Sequence, residues 1–90
     1  MLVITRKGEH EMANSFKRID NGYRVPASYV GYGYAIDVVD NFGVKSISIY
    51  NIEDVKFDND GCLDAYNAKA IRDCDLTVAE AKAWCVRHAR

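Results

Sequence analysis

Two β-prone runs, "YAIDVV" (34–39) and "VKSISIY" (44–50), stand on either side of Asp40-Asn41-Phe42-Gly43. Alternation of branched or aromatic residues with small or polar ones is the period of a half-buried strand, and a glycine-ended tetrapeptide between two such runs predicts a turn. This hairpin limits the fold, because a chain that commits its richest apolar segment to an antiparallel pair builds its core on one face of a sheet. Closing the turn over Asp40–Gly43 pairs Val39 with Val44, Asp37 with Ser46, Ile36 with Ile47, Tyr34 with Ile49 and Gly33 with Tyr50. By parity, Tyr32, Tyr34, Ile36 and Val38 then lie with Ile47 and Ile49 on the core side. The opposite face carries Tyr29, Gly31, Gly33, Ala35 and Asp37 beside Ser46, Ser48 and Tyr50. Small, polar and edged with tyrosine, it is a candidate contact surface, and Gly31 and Gly33 mark a bulge or a close approach.

Outside this hairpin the signals differ in strength. "LVIT" (2–5) predicts a first strand, the stretch to Phe16 a short helix or irregular segment, and Asn21-Gly22 the centre of another hairpin, with Pro26 at the end or edge of its second strand. "IEDVKF" predicts a further strand, Asp58–Gly61 a turn, and "LDAYNAKAI" a short helix with Leu63, Tyr66, Ala70 and Ile71 on one side. The last helix carries the clearest signal. Thr77-Val78-Ala79-Glu80 is a capping box, Val78, Ala81, Cys85 and Ala89 with Trp84 form an apolar stripe, and Arg87, His88 and Arg90 complement the C-terminal dipole. The fold class is therefore α+β: a small antiparallel sheet of three to five strands packed by a C-terminal amphipathic helix, with one further short helix allowed.

At 90 residues, one domain (1–90) is the expectation, and a chain this short uses nearly all its large apolar side chains in one core. The longest uncharged stretch, Val25–Ile36, holds proline and two glycines and is too short to span a bilayer. "MLVITRK" lacks the apolar core of a secretory signal, so a cytoplasmic location is expected. Cys62, Cys74 and Cys85 contain no CxxC pair and point to free thiols.

The net charge of −1 conceals a segregation. Residues 35–80 carry four Lys or Arg against ten Asp or Glu, a net of −6, whereas residues 1–34 and 81–90 are net basic. The acids are densest from Glu53 to Asp64.

Catalytic and metal patterns fail on spacing. Asp58, Asp60 and Gly61 match the middle of an EF-hand loop, but the first carboxylate and the closing glutamate are replaced by Lys56 and Asn67, so a plain turn is expected. Cys85 and His88 lack the knuckle and fourth donor of a zinc site, and no oxyanion donor accompanies them as a nucleophile and base. "GYG" does not have the spacing of a phosphate loop. The reading is a non-enzymatic chain without cofactor or metal.

"MLVITRKGE" is similar to the first strand of the carbon storage regulator family of RNA-binding proteins, and that resemblance implies RNA contact at Arg6. It covers nine residues, and the rest of the chain has no counterpart of that family's later strands. In type, though without a shared motif, the chain is similar to small phage-encoded inhibitors of host defence nucleases, the anti-CRISPR kind. The leading expectation is accordingly a small protein-binding module or inhibitor, facing a basic partner through Tyr29, Asp37, Tyr50, Glu53, Asp54, Asp58, Asp60 and Asp64. The alternatives are nucleic-acid binding through Arg6, Lys7, Lys17, Arg18, Arg24 and Tyr23, and self-association as an accessory homo-oligomer.

Overall fold

The computed structural model describes residues 16–73 and 76–89. The expected strand at 2–5, the segment before Phe16 and Cys74 lie outside them. A five-stranded antiparallel sheet of order β1-β2-β3-β4-β7 is formed by β1 (Lys17–Ile19), β2 (Ser28–Gly31), β3 (Tyr34–Asn41), β4 (Val44–Asn51) and β7 (Arg72–Asp73). A separate two-stranded ribbon, β5 (Lys56–Phe57) and β6 (Leu63–Asp64), follows a 3-10 turn at Ile52–Asp54, and helix α1 (Val78–Arg87) closes the chain. The α+β architecture expected from the sequence is the one observed.

Tyr34, Ile36, Val38, Ile47 and Ile49 are buried against Ala81 and Cys85 of α1, with Tyr29, Tyr32, Val78 and Trp84 packed around them. Full burial of an isoleucine side chain is worth about 1.5–3 kcal/mol, so Ile36 and Ile49, both fully buried, anchor the sheet to the helix. The capping box forms as expected: Glu80 N–H donates to Thr77 Oγ1 (3.1 Å) and Thr77 N–H to Glu80 Oε1 (2.8 Å). Ala89 is exposed, because the helix ends at Arg87 and the stripe ends with it.

The register differs from expectation by two residues. Asn41 pairs with Val44, Val38 with Ile47 and Ile36 with Ile49, leaving a two-residue loop at Phe42 (φ 55°) and Gly43 (φ 88°). Positive φ at both central residues is the type I′ geometry, whose twist matches that of the flanking strands, and this favours the short loop over the four-residue turn. Asp40 Oδ1 accepts from Gly43 N–H at 2.8 Å and holds the tip. A slip of two preserves which face each residue occupies.

The GYG stretch is corrected more deeply. Gly31 pairs with Tyr34 across a second two-residue loop, Tyr32 (φ 60°) and Gly33 (φ 90°), so the chain reverses where a continuous strand was expected. Gly33 supplies a left-handed turn position that side chains disfavour. Reversal also moves Tyr29. It pairs with Ile36 and therefore shares the helix-facing side, where the Lys82 ammonium stands 4.1 Å from its ring centroid.

The β1–β2 connection does not turn tightly at Asn21-Gly22. Its strands pair Lys17 with Val30 and Ile19 with Ser28, leaving Asp20–Ala27 as a longer loop that contains Pro26. Asn21 explains the difference, because its side chain is used as a clamp: it donates to Pro26 O (3.0 Å) and Ser28 Oγ (2.8 Å) and accepts from Leu63 N–H (3.0 Å). "IEDVKF" begins as the 3-10 turn and becomes strand only at Lys56–Phe57. "LDAYNAKAI" forms β6 and turns instead of a helix. Asp64 Oδ1 accepts from Tyr66 N–H (2.9 Å), Asn67 takes φ 69°, and Tyr66 is exposed. These local side-chain bonds compete with the helical ladder.

Candidate binding surface

Three loops meet beside the far end of β3. The β1–β2 loop contributes Arg24, Val25 and Pro26, the β3–β4 tip contributes Val39, Asp40 and Phe42, and the β5–β6 ribbon contributes Cys62 and Leu63, with Asp37 on the floor of a groove of about 730 Å³. That volume falls within the range of ordinary ligand and peptide sites.

Each wall is held by a local device. In the ribbon, Asp58 Oδ1 accepts from the N–H groups of Asp60 and Cys62 (both 2.9 Å), while Gly61 (φ 84°) closes a three-residue loop. Asp58 thus shapes the turn, as the plain-turn reading expected. The Asn21 clamp ties the β1–β2 loop to β6, and Ser28, fully buried, passes its hydroxyl hydrogen to Asp37 Oδ1 (3.2 Å).

Phe42 is the exceptional residue of this surface. Its ring is fully exposed (106 %). Its backbone occupies a left-handed conformation that costs a side-chain-bearing residue roughly 1–2 kcal/mol. Neither turn geometry nor burial explains a phenylalanine there. Val39 and Val25, also exposed, line the same groove, and the exposed Val44 follows the loop.

The electrostatics are acidic. Asp37 and Asp40 line the groove, and Asp58 and Asp60 stand close enough to push the Cys62 thiol up, after burial as the larger cause. Among the described lining residues Arg24 is the cation, with its guanidinium carbon 5.2 Å from the exposed Tyr23 ring. Cys85, in the core, is pushed up to about 11 by burial, so its thiol is protonated and inert as a nucleophile. The His88 ring lies flat on Trp84 with centroids 4.1 Å apart, its Nδ1 is 2.9 Å from Trp84 O, and the residue is exposed whereas Cys85 is buried.

Of the residues expected to bind, Asp37 lines this groove, and Asp58 and Asp60 stand beside it in the ribbon turn, next to the lining residue Cys62. Asp64 pairs with Lys56 within the ribbon, and Glu53 and Asp54 sit in the 3-10 turn at the opposite end of β4. Tyr50 lies mid-sheet opposite Ala35, its hydroxyl pushed up by burial first and by Asp37 next, with Ser48 and Asp73 beside it. Tyr29 is on the helix side. Phe42, Asp40 and Arg24 were not singled out by sequence reasoning as one site. The available signal was the phenylalanine inside a turn tetrapeptide, a position usually filled by Asn, Asp or Gly.

Among the described residues, no helix is long and apolar enough to cross a membrane, and no cluster of three His, Cys, Asp or Glu side chains could hold a metal ion. No protein-family model matches the chain, and comparison with curated proteins and with solved structures finds no significant match.

Proposed function

We propose that this chain is a non-enzymatic protein-binding module that grips a basic partner at the three-loop end, with Phe42 as the apolar anchor and Asp37, Asp40, Asp58 and Asp60 as the steering charges. The observation that carries the reading is a fully exposed aromatic ring on a residue held at φ 55°. Exposed strain and exposed apolar area both oppose stability, and binding is where such features are returned with gain. Acids around the anchor favour a cationic partner and its rapid capture. Where that basic surface is a nucleic-acid groove of the partner, occupancy excludes nucleic acid and the module acts as an inhibitor.

The test is capture from lysate on immobilised protein, with and without nuclease, using wild type, Phe42→Asn and Asp60→Lys. Asp60 is chosen because its carboxylate has no hydrogen bond among the described residues, whereas that of Asp58 builds the turn. A stoichiometric protein that survives nuclease, weakens about 30-fold or more with Phe42→Asn and loses association rate with Asp60→Lys is the expected result. Retention by Phe42→Asn together with loss on nuclease treatment would reject this surface in favour of nucleic acid.

A further inference from the structure

A second cleft, of about 310 Å³, lies between the β7 edge and α1 and is lined by Arg72, Leu76, Glu80, Ala83, Trp84 and Arg87. Glu80, Ala83, Trp84 and Arg87 follow the spacing of one helix face. Arg72 pairs with Ile49, so it belongs to the sheet side that faces the helix and meets that row.

The chemistry here is unlike the groove. Two guanidinium groups share one small cleft, and neither has an ion pair among the described residues. Glu80 is the acid among the described lining residues, and its Oε1 accepts from Thr77 N–H in the capping box. The described lining residues therefore carry a net charge of +1, two arginines against the Glu80 carboxylate, and an oxyanion accepted by both guanidinium groups complements that excess. The wall beside them is rigid. Trp84 meets the edge of Tyr34 (centroids 5.2 Å, 73°) and is covered on one side by His88, while Tyr34 donates its hydroxyl hydrogen to His88 O at 2.6 Å. A ring held this way loses little freedom when a ligand contacts it.

We propose that this cleft is an anion site that takes a phosphate or carboxylate carried on a planar apolar group, with Arg72 and Arg87 holding the oxyanion and Trp84, Ala83 and Leu76 flanking the apolar part. It does not rest on the partner-binding reading above. Arginine suits the role because its planar fork matches both oxyanions, and the cleft has room for a small ligand only.

Trp84 is the chain's single tryptophan, so its emission reports this cleft directly. Phenyl phosphate, benzoate and inorganic phosphate would be titrated at constant ionic strength, with ligand-observed NMR as a second readout that does not depend on fluorescence. Saturable binding of phenyl phosphate or benzoate in the roughly millimolar range is expected, weakened about tenfold or more by Arg72→Gln and by Arg87→Gln. The stronger of these two ligands identifies which oxyanion is preferred. Absence of saturation in both readouts, equal affinity in the arginine variants, or inorganic phosphate binding as tightly as phenyl phosphate would overturn the proposal.

Discussion

Tyr32-Gly33 and Phe42-Gly43 have nearly the same backbone, φ 60° and 90° in one tip, 55° and 88° in the other, yet their rings go to opposite places. The Tyr32 ring packs on Phe16 (centroids 5.0 Å) and against the core, whereas the Phe42 ring stands wholly in solvent. At the first tip the left-handed strain is offset by apolar burial. At the second nothing within the described residues offsets it. One turn chemistry thus buries its ring at one end of β3 and leaves it in solvent at the other, and only the surroundings distinguish the two.

The comparison breaks most readily at the buried tip. Tyr32→Asn is expected to lower stability by about 2–3 kcal/mol in urea unfolding, because the lost ring packing outweighs the gain from a residue that tolerates positive φ. An unchanged midpoint would show that the ring contributes no packing. Next in size, Gly43→Ala is expected to cost about 1–2 kcal/mol, all of it conformational, since a Cβ there would meet no atom within 4 Å. Phe42→Asn should raise stability by about 0.5–1 kcal/mol, as Asn-Gly is the preferred type I′ pair, while partner capture falls. Stability and binding moving in opposite directions is the signature of a residue kept for recognition. Tyr32→Phe is the mildest change: among the described residues the buried hydroxyl has no hydrogen-bond partner, so its removal should leave stability unchanged or raise it by up to about 1 kcal/mol.

A pH titration separates the buried region from the exposed tip, which has no titrating ring. With Cys85 pushed up to about 11 from 9.0, the folded chain keeps a proton that the unfolded chain releases. Its contribution is therefore present below pH 9 and lost as pH rises toward 11. Tyr50, also raised from its model-compound value of 10.0, acts in the same direction above that pH. Thermal melts in this range should fall less steeply for Cys85→Ala than for wild type, and equal slopes would remove the burial argument.

Much of the framework was readable along the chain because its causes are short in range. Strand parity placed Tyr34, Ile36, Val38, Ile47 and Ile49 on the core side, and it survived a wrong loop length because the error was two residues and not one. The capping box and helix stripe likewise involve residues within two turns of one another. The candidate site was less legible. Asp37, Asp58 and Asp60 were named for their charge, but nothing local says that the ribbon folds beside β3 or that Phe42 is left in solvent.

What the sequence by itself determined is the set of elements whose stabilising contacts lie within a few residues: the central hairpin, its core face, the Asp58–Gly61 turn and the capped terminal helix. Tertiary structure alone decided that the chain reverses at Tyr32-Gly33, that Tyr29 crosses to the helix side, that 63–71 yields its helix pattern to turns, and that three loops form one groove. Those outcomes depend on sheet twist and on the Asn21 clamp, whose bond to Leu63 spans 42 residues. Local propensities of a kcal/mol or less per residue give way to such contacts.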